Sequence, residues 1–190
     1  FYRNPTPDWG GGRAVTYGKG IERIEMADGV LWTLEDIYEV AVINGDTSGN
    51  TINGTSLHDN IFANDGNDTV YGLSGDDRIE GGLGEDRLEG GDGADTYVWS
   101  KGDGNDTSDD AAVSKSETDK LVLTDVTADD VKLSRSNGAD RLDITIISTG
   151  EVIKVSNQFN QALDGKGLEE IHFADGSIWN LLDIQSRTRV

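Results

Sequence analysis

The chain has 190 residues and a mass of 20.4 kDa, room for one or two small domains. Its 36 acidic residues outnumber 16 basic ones, and the formal charge of −20 excludes a basic face for nucleic acid or anionic lipid; it points to cations or a basic partner. Disulfides, thiolate metal sites and a cysteine nucleophile are excluded because there is no cysteine, and no apolar run approaches the ~18 residues of a membrane helix.

The N-terminus, Phe1-Tyr2-Arg3-Asn4-Pro5, lacks the basic-then-apolar pattern of a secretory signal peptide and has no initiator Met. The chain is therefore expected to be a fragment of a longer protein. Gly18-Lys19-Gly20-Ile21-Glu22-Arg23-Ile24-Glu25 continues through Ala27-Asp28-Gly29 to Trp32 and Ile37. The same pattern returns from Gly165-Lys166-Gly167 through Ala174-Asp175-Gly176 to Trp179 and Ile184, offset by 147, with 12 of 20 positions identical. This predicts that residues 1–44 are the tail of a preceding module in a tandem array. Thr33 is placed to cap a short helix through Ile37 and Val40.

Residues 45–98 fall into six rows of nine, starting at Gly45, Gly54, Ala63, Gly72, Gly81 and Gly90. The sixth position reads Asn50, Asp59, Asp68, Asp77, Asp86, Asp95, and the eighth Ile52, Ile61, Val70, Ile79, Leu88, Tyr97. After Trp99 and Ser100, a partial seventh row follows as Lys101-Gly102-Asp103-Gly104-Asn105-Asp106. One apolar residue per row fits a very short strand with one inward side chain. Glycines at the first, second and fourth positions fit a turn that needs positive φ or close backbone approach. Two rows make one coil, and coils stack ~4.8 Å apart. The sixth positions then form two ladders, Asn50–Asp68–Asp86–Asp106 and Asp59–Asp77–Asp95.

Such stacked carboxylates repel unless something positive lies among them. Residues 45–110 hold 16 acidic residues against Arg78, Arg87 and Lys101, a local charge of −13. The remaining candidate is an oxygen-bound hard cation. Calcium suits carboxylates plus turn carbonyls in flexible geometry, and magnesium suits them worse. The candidate ligands are Asp59, Asp68, Asp77, Asp86, Asp95 and Asp106. Gly66, Gly75, Gly82, Gly84, Gly91 and Gly93, in the same turns, are candidate metal-site residues, since glycine turns can supply backbone carbonyls. Asp65, Asp92 and Asp103 stand at the third position, where a side chain can add a ligand. Rows one and two carry Ser48 and Leu57 in place of glycine and Asn50 in place of aspartate, so weaker sites or none are expected there.

Beyond the roll, Leu121–Leu123, Val131–Leu133, Leu142–Ile146 and Val152–Val155 read as short strands. Asn137-Gly138, Thr149-Gly150 and Ala174-Asp175-Gly176-Ser177 read as turns.

The rows resemble the nonapeptide repeat of RTX (repeat-in-toxin) proteins, Gly-Gly-x-Gly-x-Asp-x-U-x with U a large apolar residue, a calcium-binding parallel β-helix. The best matches are Gly81-Gly82-Leu83-Gly84-Glu85-Asp86 and Gly90-Gly91-Asp92-Gly93-Ala94-Asp95. The later segment resembles the domain that follows hemolysin-type calcium repeats. The expectation is an all-β chain: a calcium-binding parallel β-roll over 45–110 and a β-rich capping domain over 111–190. The resemblance implies several Ca2+ ions, export by a type I system and folding outside the cell. The module is then structural, adhesive or toxin-associated, with neighbouring modules and a cell-surface protein or glycan as partners. The alternative is a targeting or stabilising appendage of a secreted enzyme.

No catalytic residue is expected. His58 sits at the variable fifth position and reads as solvated; His172 alternates with Ile171 and Phe173 and faces away from their core. No segment has EF-hand spacing, and the glycine runs lack a phosphate-loop ending. Trp32 and Trp179 read as core, with Trp9 or Trp99 the alternatives for stacking on a sugar.

Overall fold

A computed structural model describes residues 13–16, 21–25, 30–33, 42–109, 117–135, 140–159 and 167–188. The chain divides into two compact units, Phe1–Ala41 and Val42–Val190.

In the first unit, β1 (Arg13–Thr16), β2 (Ile21–Glu25) and β3 (Leu31–Thr33) form an antiparallel sheet. The helix expected after Thr33 lies outside the described residues.

The second unit begins at β4 (Val42–Asn44), just before the first glycine row. Then come β5 (Thr51–Asn53), β6 (Asn60–Phe62), β7 (Thr69–Ser74), β8 (Arg78–Glu80), β9 (Arg87–Asp92), β10 (Thr96–Trp99) and β11 (Thr107–Ser108). Each row pairs in parallel with the row two ahead: Ile61 faces Ile79, and Val70 faces Leu88. The coil is therefore two rows long, as the sequence predicts. The eighth-position side chains point inward, with Ile61, Val70 and Ile79 fully buried. One such residue per nine offsets only a small part of the chain entropy lost on ordering a row. The roll needs another source of stability.

The following segment completes both sheets. β12 (Lys120–Leu123), β13 (Val131–Arg135), β14 (Leu142–Ile146), β15 (Val152–Val155), β16 (Glu170–His172) and β17 (Ile178–Asn180) precede helix α1 (Leu181–Arg187). One sheet runs β17-β16-β12-β10-β8-β6-β4, the other β13-β14-β15-β11-β9-β7-β5. β12 and β15 still pair in parallel with roll strands; β13, β14 and β17 are antiparallel and end the stack. Asn180 caps α1 through the N–H groups of Leu182 and Asp183, and Asp183 returns a bond to the Asn180 N–H. The Thr149-Gly150 and Ala174–Ser177 turns form where the sequence places them, with Gly150 at φ +84 and Gly176 at φ +82. Asn137-Gly138 lies outside the described residues.

The internal repeat recurs in the backbone. β2 pairs with β3 through Ile24↔Trp32, and β16 pairs with β17 through Ile171↔Trp179, the same register displaced by 147. Trp179 is buried and meets Phe173 edge-on at 4.7 Å. Trp99 is 2% exposed, which removes it as a sugar platform.

Candidate metal centre

The sixth-position aspartates turn inward. Asp59, Asp68, Asp77, Asp86, Asp95 and Asp106 are all buried. From Asp68 onward, each carboxylate accepts an N–H bond from the coil before it. The N–H of Asp59 donates to Asp77 Oδ1 at 2.8 Å, that of Asp68 to Asp86 Oδ1 at 2.7 Å, that of Asp77 to Asp95 Oδ1 at 2.9 Å and that of Asp86 to Asp106 Oδ1 at 3.0 Å. Successive carboxylates are thus separated by peptide groups, a spacer the sequence argument did not include.

The second oxygen is the reactive one. Oδ2 of Asp68, Asp77 and Asp86 is buried without a hydrogen-bond partner. Those of Asp77 and Asp86 lie over the first glycine of their own turn: a Cβ on Gly72 or Gly81 would overlap Oδ2 of Asp77 or Asp86. The first-position glycines therefore serve close approach. Positive φ belongs to the second and fourth positions, including Gly82 at +86 and Gly84 at +152. A Cβ on Gly84 would also strike the Gly66 carbonyl one coil back. Gly66, Gly75, Gly91 and Gly93 share this left-handed backbone, whereas Ser48 and Leu57 do not take it.

Burial without a neighbouring cation raises these carboxyls. Asp77 is pushed up to about 7, Asp86 to about 6 and Asp106 to about 8, in each case chiefly by desolvation. The roll's basic residues are engaged elsewhere: Arg78 pairs with Glu80, Arg87 with Glu89 and Asp109, and Lys101 with Asp130. As arranged, the ladder takes either protons or an added cation.

Among the described residues no group of three or more acidic or histidine side chains converges on one point. From Asp59 onward each row offers one buried carboxylate, and backbone carbonyls approach the same glycines, as the Gly90 carbonyl does at Gly72 beside Asp77 Oδ2. That donor set is all oxygen, and the unpartnered Oδ2 atoms fit a hard cation. Asp68, Asp77 and Asp86 would hold calcium through Oδ2, and the ion would supply the positive charge the ladder lacks. Asp59 differs: its Oδ2 accepts from Thr55 N at 2.6 Å and Thr55 Oγ1 at 3.0 Å. Among the third-position residues, Asp65 and Asp92 are exposed, outside the buried ladder. Asp103 is half-buried, accepts from the Ser100 N–H at 2.6 Å, and is pushed up to about 6 by burial and by Glu80, Asp125 and Glu151.

The second ladder runs further than the repeat. Asp119, 1% exposed, accepts from the Asp95 N–H at 2.8 Å and donates its own N–H to Glu169 Oε2 at 2.8 Å. Sequence reading missed both residues. The signal was present in Asp119-Lys120-Leu121, the Asp-x-apolar end of a row, but it lies 24 residues beyond Asp95 and out of period. His58 is exposed as expected, yet its Nδ1 accepts from the Asp76 N–H at 2.8 Å. His172 stands beside Glu170, with Nε2 2.6 Å from Oε2, while Ile171 and Phe173 are buried.

The RTX calcium-binding nonapeptide repeat family matches residues 44–79 and 71–98. The haemolysin-type calcium binding protein related domain matches residues 142–182. No curated protein matches the chain. Among solved structures, the chain is similar to the AlgE6R2 subunit of the Azotobacter vinelandii mannuronan C5-epimerase, at 25% identity and TM-score 0.54, covering 72% of this chain and 94% of that one. It is also similar to the AlgE6R3 subunit of that epimerase, at 23% identity and TM-score 0.49, covering 72% of this chain and 87% of the other. The repeat turns, the buried aspartate ladders and the sheet-completing segment after them place the chain in the RTX hemolysin-type calcium-binding repeat family, as a calcium-binding β-roll module with its related C-terminal domain.

Proposed function

We propose that this chain is one module of a large secreted bacterial protein, and that calcium drives its folding after export. The carrying observation is the buried ladder, with Oδ2 of Asp68, Asp77 and Asp86 unpartnered and, among the described residues, no basic side chain paired to it. Calcium that binds only the coiled state adds its binding free energy to folding. In a calcium-poor cytoplasm the same carboxylates repel and the chain stays expanded, which suits passage through a type I exporter. Residues 1–44 would be the end of a preceding module, a reading supported by the register shared by β2–β3 and β16–β17. The module's role is structural or adhesive, with residues 111–190 as cap or as contact to a surface protein or glycan, and without catalysis of its own.

A second reading is supported by the likeness to AlgE6R2, a repeat subunit of an epimerase. By that likeness the module is a stabilising or targeting appendage of a secreted enzyme. Glycan-array binding by the isolated chain favours adhesion; a catalytic domain in the parent protein favours the appendage.

The test follows tryptophan emission, which reports Trp99 in the core. Metal-stripped protein is titrated with calcium and, in parallel, with magnesium. The expected result is a blue shift with calcium and little response to magnesium. Emission that is the same in chelator and in calcium would refute the proposal.

A further inference from the structure

The fifth column of the repeat varies in residue type, yet it carries a ladder of its own. The Asp76 N–H donates to His58 Nδ1 at 2.8 Å, the Glu85 N–H to Asn67 Oδ1 at 3.0 Å and the Ala94 N–H to Asp76 Oδ1 at 3.0 Å. In each case the donor lies 18 residues ahead, one full coil. The sixth column runs the other way, with each N–H donating to the carboxylate of the next coil. Turn 58–59 is therefore joined to turn 76–77 by two bonds of opposite sense. Turns 67–68 and 85–86 are joined in the same way, as are 76–77 and 94–95. The outer ladder also reaches the segment beyond the roll, where Asn105 Oδ1 accepts from the Val152 N–H at 2.8 Å. Gly49 and Ala94 bring no side-chain acceptor to this column.

We propose that Asn67 and Asp76 are positioning residues for calcium: their side-chain acceptors lock neighbouring turns in register and so set the affinity of the sites built on Asp77 and Asp86. The inference rests on the calcium reading above. Without the fifth-column bond, neighbouring turns are joined along one edge only, by the Oδ1 bond and the adjacent backbone bond from the Arg78 N–H to the Asp59 carbonyl or from the Arg87 N–H to the Asp68 carbonyl, and can pivot about that edge. The fifth-column bond removes the pivot and holds Oδ2 over its glycine. What the column selects is an acceptor of suitable length, since His58, Asn67 and Asp76 all serve. Negative charge is not the requirement.

The experiment uses the full chain, titrated with calcium and followed by far-UV circular dichroism. The variants are Asn67→Ala, Asp76→Ala, Asn67→Asp and Asp76→Asn. Each alanine variant is expected to raise the calcium midpoint about three-fold, the effect of one exposed hydrogen bond. Asp76→Asn and Asn67→Asp, which keep the acceptor, should stay at the wild-type midpoint. Hydrogen exchange on the calcium-saturated chain should show the Glu85 amide losing protection in Asn67→Ala and the Ala94 amide in Asp76→Ala. Alanine variants with a wild-type midpoint would overturn the proposal, as would an Asp76→Asn midpoint as high as that of Asp76→Ala. A wild-type chain that ignores calcium would instead refute the calcium reading on which the proposal stands.

Discussion

Within one ladder aspartate the two oxygens have different tasks. In Asp77 and Asp86, Oδ1 receives the N–H of the previous coil and Oδ2 has no partner. Asp59 spends its Oδ2 on Thr55. Asp77→Ala and Asp86→Ala are therefore expected to raise the calcium midpoint by about ten-fold or more, the scale of a lost charged partner, and Asp59→Ala by clearly less. Calorimetric calcium titration of the three variants checks the order; equal effects would contradict it. Acid should compete with calcium at the same atoms. A carboxyl held above its ordinary value favours the protonated folded form. The stability this lends the calcium-free roll is complete below the ordinary carboxylate range and is lost as pH rises through about 6 to 8, the values of Asp86, Asp77 and Asp106. Calcium binding near pH 6.5 should accordingly release protons, and calorimetry in buffers of different ionisation enthalpy measures that release. The columns of aspartate and apolar residues were legible because both keep a period of nine. The inward turn of the carboxylate was not, because an aspartate beside a glycine turn reads equally well as solvated. The fifth column was hidden for another reason: His58, Asn67 and Asp76 share an acceptor but no residue type.

At the scale of elements, the roll is closed by the segment that follows it. The Lys120 N–H bonds the Asp95 carbonyl, the Lys154 N–H bonds the Asp106 carbonyl, and Asp119 takes the next rung of the ladder. β13, β14 and β17 are antiparallel, so the sheets end in hairpins and not in a row of parallel strands. Truncation after Asp110 strips β10 and β11 of these partners and opens Tyr97 and Trp99 to water. The truncated roll should show a higher calcium midpoint and a shallower transition than the full chain; an unchanged, equally sharp transition would leave the cap dispensable. Asp119→Ala strands the buried Asp95 N–H and should remove about 1–3 kcal/mol of stability, measured as a lower urea midpoint in saturating calcium. Strands β12 to β15 were legible from short alternating runs. Their continuity with the roll was not, since the spacing from Asp95 to Asp119 breaks the period that made the earlier rows visible.

For the whole molecule, composition and fold tell one story. A charge of −20, with −13 of it in residues 45–110, opposes compaction, and one buried apolar residue per row does little to reverse that. The offset of 147 was readable because it preserves Gly, Trp and Asp-Gly landmarks, and the matching hairpin registers express it in three dimensions. Val42–Val190 is a compact unit by itself, so it is the piece on which calcium-driven folding is best measured. The direct measurement is far-UV circular dichroism of residues 42–190, stripped of metal, in chelator and then in millimolar calcium. The expected result is a largely disordered spectrum that becomes β-rich with calcium and responds poorly to magnesium. A β-rich spectrum that is the same in chelator and in calcium would contradict the claim that the aspartate ladders make folding depend on the ion.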